Sequence, residues 1–173
     1  MAPYDFEVSY HEDQKFTQWW IWLLVYGISA LMWWGFVEQI ILGKPWGSKP
    51  APDWMMWLLW LFIGIGLPLL FHRLKLVTEV SENSLHIRYP PITSRDIPLA
   101  DIQSFEARSY DPIREYGGWG IRGWRGSGVA YTTSGNQGVE LTLQDGKSVM
   151  VGSQRAEELA AALETRIPGA RKA

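Results

Sequence analysis

Two stretches without a single charged side chain, Trp19 to Val37 and Trp54 to Phe71, constrain this chain of 173 residues more than any other feature. At about 1.5 Å rise per residue, the nineteen residues of the first stretch make a helix roughly 28 Å long, close to the hydrocarbon thickness of a bilayer. The first helix is expected to continue to Leu42, where Gly43 and Pro45 stop it, and the second to end at His72, where Arg73 and Lys75 restore polarity. The pattern therefore predicts a hairpin of two transmembrane helices, 19–42 and 54–72, joined by a loop at 43–53.

Tryptophan placement points the same way. Nine of the eleven tryptophans lie between Trp19 and Trp60, and indoles favour the boundary between headgroups and acyl chains. Trp19, Trp20 and Trp22 mark one end of the first helix, while Trp33, Trp34 and Trp46 share the other with Trp54, Trp57 and Trp60 of the second. An acidic start and a long first helix argue against a cleaved signal peptide. Inside the spans the most polar groups are Tyr26 and Ser29, so neither ion coupling nor a proton relay is expected there. Gly27, Ala30, Gly35, Gly64 and Gly66 allow close backbone packing, and Pro68 predicts a kink. Lys15, Arg73, Lys75 and Arg88 flank the terminal side against Lys44 and Lys49 in the loop, which places both termini in the cytoplasm.

Cysteine is absent, which excludes disulfides, thiolate metal sites and cysteine nucleophiles. Residues 72–173 balance thirteen Lys and Arg against twelve acids, so no nucleic-acid partner is expected. His11, His72 and His86 have no ligand spacing, and neither a metal nor another cofactor is expected.

From Leu74 the period changes to two. Leu74, Leu76, Thr78 and Val80 alternate with Lys75, Val77 and Glu79, Glu82-Asn83-Ser84 turns the chain, and Leu85, Ile87 and Tyr89 return it as an antiparallel hairpin ending at Pro90-Pro91. A third strand is expected over Asp96 to Arg108 with a bulge near Ala100. Val139 to Leu143 and Val149 to Val151 read as a second hairpin, followed by an amphipathic helix at 155–166 with Ser153 as N-cap. The division is then a juxtamembrane segment 1–18, the hairpin 19–72, a β domain 73–168 and a tail 169–173.

Arg114-Glu115-Tyr116-Gly117-Gly118-Trp119-Gly120-Ile121-Arg122, Ala130-Tyr131, Ser134-Gly135, Gly138-Val139-Glu140-Leu141 and Gly152-Ser153-Gln154-Arg155 give the chain a resemblance to a group of bacterial membrane proteins. Members of that group have two N-terminal transmembrane helices and a pleckstrin-homology-like domain. The resemblance implies a membrane α hairpin plus an α+β domain, an antiparallel β-sandwich or partial barrel of about seven strands capped by a C-terminal helix. It also implies the bacterial inner membrane as location. It carries no settled activity.

The most unusual segment, Tyr116 to Gly128, sets six glycines around Trp119, Arg122, Trp124 and Arg125. Glycines permit close backbone approach, and arginines offer forked donors to carboxylate or phosphate. Arg114, Trp119, Arg122, Trp124 and Arg125 are therefore the candidate ligand- or partner-binding residues. Strand corners and packed indoles are the competing structural account of the same residues. No P-loop or nucleophile elbow is present, since Gly126-Ser127-Gly128 supplies only half of the latter, and no catalytic residues are named. Phosphoinositide binding does not carry over, because the first hairpin loop is Ser81-Glu82-Asn83-Ser84. The expected function is a non-enzymatic, membrane-anchored interaction or scaffold module that self-associates or joins a larger membrane complex. The alternatives are a domain binding anionic lipid headgroups at the cytoplasmic leaflet, or an accessory subunit of a membrane enzyme or transporter.

Overall fold

The computed structural model describes residues 8–124 and 128–172. The chain divides into two compact units: Phe16–Leu74, and a second made of the residues up to Lys15 together with those from Lys75 onward. The helical unit is thus an insertion in the β unit.

Helices α1 (Trp19–Ile41) and α2 (Asp53–Arg73) are long and apolar enough to cross a membrane, with mean hydropathies of 1.6 and 2.0. Only 28% and 11% of their most apolar windows are buried, whereas the core helix of a soluble protein would be mostly covered. Leu23, Leu24, Trp34, Leu61 and Phe62 all face outward. Where the helices meet, aromatic rings interlock: Phe36 stacks on Trp60 at 4.5 Å between centroids, and Trp33 meets Trp60 edge-on at 5.0 Å. Gly35 leaves the space that the Trp46 ring occupies, since an added Cβ would lie 2.8 Å from it.

Pro68 explains the most specific contact of the hairpin. It has no N–H to offer the carbonyl four residues back, at Gly64, and the helix passes through a wide π-helical stretch, Trp60–Gly66, just before it. Ser29 Oγ donates to the Gly64 carbonyl at 2.5 Å and Trp33 Nε1 donates to it at 3.2 Å. A neighbouring helix therefore satisfies the group that proline orphans, as an apolar setting demands. Ser29→Ala should cost the hairpin about 1 kcal/mol, because Trp33 remains as a donor. Steric-trapping measurement of helix separation checks this, and an unchanged separation free energy would refute it.

The β unit holds two open sheets. The first has the order β1-β2-β3-β4, with β1 (Tyr10–Lys15), β2 (Lys75–Val80), β3 (Ser84–Tyr89) and β4 (Thr93–Pro98). The second has the order β5-β8-β9-β7-β6, with β5 (Ile102–Ser109), β6 (Gly120–Trp124), β7 (Gly128–Thr132), β8 (Gln137–Leu143) and β9 (Ser148–Gly152). A short helix α3 (Pro112–Tyr116) precedes β6, and α4 (Ala156–Arg166) follows β9. Leu76, Val80, Leu85, Ile87, Phe105, Val139, Leu141 and Val151 are fully buried, and α4 adds Leu159 and Leu163. The helix packs on β1 and β2 of one sheet and on β5 and β8 of the other, covering an open end of the pair.

Both expected hairpins are present, β2–β3 and β8–β9, and Gly146 at φ 80° makes the second turn. Four features differ from the sequence-based expectation. The single bulged strand over 96–108 is two strands in different sheets: Pro98 and a 3₁₀ turn at Leu99–Asp101 carry the chain across, and the register shift falls between Ile102 and Ser104. Strands number nine among the described residues, because β6 and β7 pair in the glycine-rich stretch and β1 joins the first sheet. β7 runs parallel to β9, so the second sheet is mixed. The tail is no free end, since Phe105 N donates to Ala170 O (2.9 Å) and Lys172 N donates to Phe105 O (2.8 Å) along the edge of β5.

β1 replaces most of the expected juxtamembrane segment. Its inward residues are Tyr10, Glu12 and Gln14, all buried, and its outward ones are His11, Asp13 and Lys15. Polar atoms on the inward face find partners near α4. Glu12 accepts from Tyr10 Oη and Ser153 Oγ, both at 2.6 Å, and from Gln154 N at 3.0 Å. Gln14 Nε2 donates to Gly152 O at 2.7 Å. Ser153 Oγ also accepts from Arg155 N at 3.0 Å, but the N-cap of α4 is Arg155, without a side-chain cap, and not the expected Ser153, which instead ties the approach to the helix to β1.

Candidate functional site

The glycine-rich segment is built from a short capped helix into an edge strand. Asp111 Oδ1 accepts from Ile113 N and Arg114 N, both at 3.0 Å, and Glu115 Oε1 accepts from Asp111 N at 2.7 Å, so the two acids cap the start of α3 reciprocally. Gly117 at φ 73° ends the helix, with Gly117 N donating to Ile113 O and Gly118 N to Pro112 O. Trp119 follows, half-buried, and its indole N–H donates to Gly135 O at 2.9 Å, pinning this turn to the one after β7.

β6 then pairs with β7 from Gly120↔Thr132 to Trp124↔Gly128. Cross-strand registers place Glu106, Glu140, Met150, Ala130 and Arg122 in one row across the second sheet. The centre of that row lies under Tyr110 and Tyr116, whose rings meet edge-on at 5.8 Å and pack with Ala130 and Met150. Gly152 makes the approach possible, because a Cβ there would meet Tyr110 Oη at 3.2 Å. Burial pushes the Tyr110 phenol up to about 12.

Arg108 ties this layer together. Its Nε donates to Glu140 at 2.6 Å, and its Nη2 donates to Glu115 at 2.8 Å and to Tyr116 Oη at 3.3 Å. Burial works against the guanidinium charge, but the bonds to Glu115 and Glu140 outweigh it and hold Arg108 charged. The Arg108 bond in turn holds the Glu115 carboxyl below the usual carboxylate range, against the opposing pull of burial. A lowered folded-state value means that the pair stabilises the fold above the unfolded-state value and loses this as pH falls below about 4. Arg108→Gln should therefore raise the Glu115 midpoint toward the ordinary value in a ¹³C-carboxyl NMR titration. An unmoved midpoint would show that Arg108 is not its cause.

Of the five sequence-selected residues, Trp119 and Arg122 come together: Arg122 Nε donates to Trp119 O at 3.4 Å, and its side chain is exposed. Trp124 closes the same strand by its backbone. Arg114 is exposed on α3 and paired with Asp111 at 3.6 Å, apart from that contact. Arg125 lies outside the described residues. Sequence reasoning missed the Arg108–Glu140–Glu115 bridge and the Tyr10–Glu12–Ser153 cluster. The first leaves no short spacing to notice, while the alternation of Tyr10, Glu12 and Gln14 with His11, Asp13 and Lys15 was a signal, though one without hydrophobicity.

Strand edges complete the geometry. The edge of β5 is covered by 170–172, and Arg171 within that tail is held by Glu157 and Glu164. On β1, Arg155 Nη2 donates to the outer carbonyl of His11 at 2.6 Å. β4 carries Arg95 and Asp96 and ends at Pro98. β6 is the outer strand of its sheet, and no described segment pairs with its far side.

Fold and site together define a two-helix apolar hairpin inserted into a two-sheet β domain whose glycine-bearing edge strand β6 is left unpaired on its far side by the described residues. Residues 5–168 match the family of unknown function DUF6141, and the chain belongs to that family. No curated protein matches it.

Proposed function

We propose that this chain is a membrane-anchored, non-enzymatic interaction module, held in the bilayer by α1 and α2 and engaging a protein partner through the β6 edge. The observation that carries this is a pairing of surfaces: an apolar hairpin left mostly exposed, and a sheet edge, uncovered by any described residue, that presents glycines and Arg122. Two sheets with a C-terminal helix support a pleckstrin-homology-like reading of the β domain, with nine strands in place of seven. Lys15, Arg73, Lys75 and Arg88 against Lys44 and Lys49 favour the cytoplasmic side for that domain.

The test is made on the full chain in native membranes. It should resist carbonate extraction and, in mild detergent, run as part of an assembly heavier than its own 19.8 kDa plus the micelle. Extraction by carbonate would remove the anchor, and strictly monomeric behaviour would remove the module. Because the chain has no cysteine, single cysteines at Ser48 and Ser94 report topology cleanly. Ser94→Cys should be shielded from impermeant thiol reagent in intact cells, and Ser48→Cys labelled.

A further inference from the structure

An uncovered strand edge is an energetic problem that the β domain solves three times and leaves once. The tail over β5, the Arg155 side chain on β1 and the proline that ends β4 all oppose addition of another strand, while β6 has neither a covering segment nor a proline among the described residues. The faces of the strand are open at its glycines. A Cβ at Gly120 would meet nothing within 4 Å, and one at Gly123 would meet nothing nearer than Gly128 O at 4.0 Å. In the middle of the strand stands Arg122. Its Nε is committed to Trp119 O, and Trp119 is itself pinned to Gly135 O, so the guanidinium is held in place. Neither Nη has a partner among the described residues, which leaves a forked pair of donors matched to a carboxylate.

We infer that β6 receives an extended segment of another protein, which adds to the sheet as a further strand and places an acidic side chain on Arg122. This rests on the interaction-module reading and supplies the chemistry of its partner. A second copy of this chain fits the edge poorly. Arg122 is the central residue of Gly120–Trp124, so two-fold antiparallel pairing of two β6 strands sets one Arg122 opposite the other. An anionic headgroup would use Arg122 but not the open row of backbone groups beside it. An acidic strand uses both, with main-chain bonds giving affinity and the carboxylate giving register.

The experiment places a photo-crosslinking residue at Gly123 in the full-length chain in native membranes and sequences the crosslinked peptide. The expected product is a segment of a different protein with an Asp or Glu within two or three residues of the crosslink. Its yield should fall at least tenfold in Arg122→Glu and less in Arg122→Lys, while Arg114→Glu leaves it unchanged. Protection of the β7 and β9 amides against hydrogen exchange confirms that each variant is folded. Crosslinks to this chain itself, to lipid, or to a segment without acids overturn the inference, as does a yield indifferent to Arg122→Glu. In those cases a heavy assembly in mild detergent would still uphold the module, so the two ideas fail separately.

Discussion

Glu12→Ala should destabilise the β domain by about 2 to 3 kcal/mol, the cost of removing the acceptor that three buried donors share. The Glu12 carboxylate is 6% exposed and accepts three bonds, from Tyr10 Oη, Ser153 Oγ and Gln154 N. Truncation leaves Gln154 N without its acceptor and the Tyr10 and Ser153 hydroxyls, 3.1 Å apart, with only each other to donate to. Tyr10 cannot adapt by ionising, because burial, the largest influence on its phenol, pushes the value up and remains in the variant. The damage should be local first: amides of Tyr10–Lys15 lose exchange protection before those of β8. Glu12→Gln keeps the shape and one acceptor and should cost less. Denaturant unfolding of the full chain in micelles measures the loss, and a change below 1 kcal/mol with β1 protection intact would contradict this account.

Gly138→Val should abolish the folded β domain while the helical hairpin persists. Gly138 lies in β8, between β5 and β9. A Cβ there would stand 2.5 Å from Val151 O, 3.0 Å from Met150 Sδ and 3.1 Å from Gly152 Cα. The thioether can swing away, but the carbonyl and the Cα belong to a paired backbone and cannot. Gly138→Ala should already cost about 3 kcal/mol. Gly146 provides the contrast, since nothing lies within 4 Å and only its φ of 80° opposes a side chain; Gly146→Ala should cost about 1 kcal/mol. Limited proteolysis of membranes containing each variant distinguishes the cases. A protease-resistant β fragment from Gly138→Val would show that β8 and β9 can separate without unfolding.

The helices and the β2–β3 and β8–β9 hairpins were legible because apolar residues there repeat at the period of their element. Leu85, Ile87 and Tyr89 alternate, and residues 19–37 hold no charge at all. β1 was illegible for the opposite reason: its buried face is Tyr10, Glu12 and Gln14, whose burial depends on donors about 140 residues later in the chain. The split at Leu99–Asp101 was read as a bulge because Ile97, Leu99, Ile102 and Phe105 all point into one core from two different sheets. Alternation reports burial, not which sheet does the burying. Of the candidate site, composition singled out Trp119 and Arg122 as residues, but neither their contact nor the edge position of β6 followed from it. That position is a property of strand order, which depends on β7 choosing β9 as its parallel neighbour.

The last rung of β1 and β2 pairs Lys15 with Lys75, so the points where the chain leaves and re-enters the β domain are cross-strand neighbours, with about 5 Å between their Cα atoms. A two-residue turn spans that gap. Replacing residues 16–74 by such a turn should therefore keep the nine described strands, and Glu12 with its donors, in their native order without the apolar hairpin. Starting a shortened gene at residue 75 does not achieve this, because it discards the strand that Ser153 and Gln154 are built to hold.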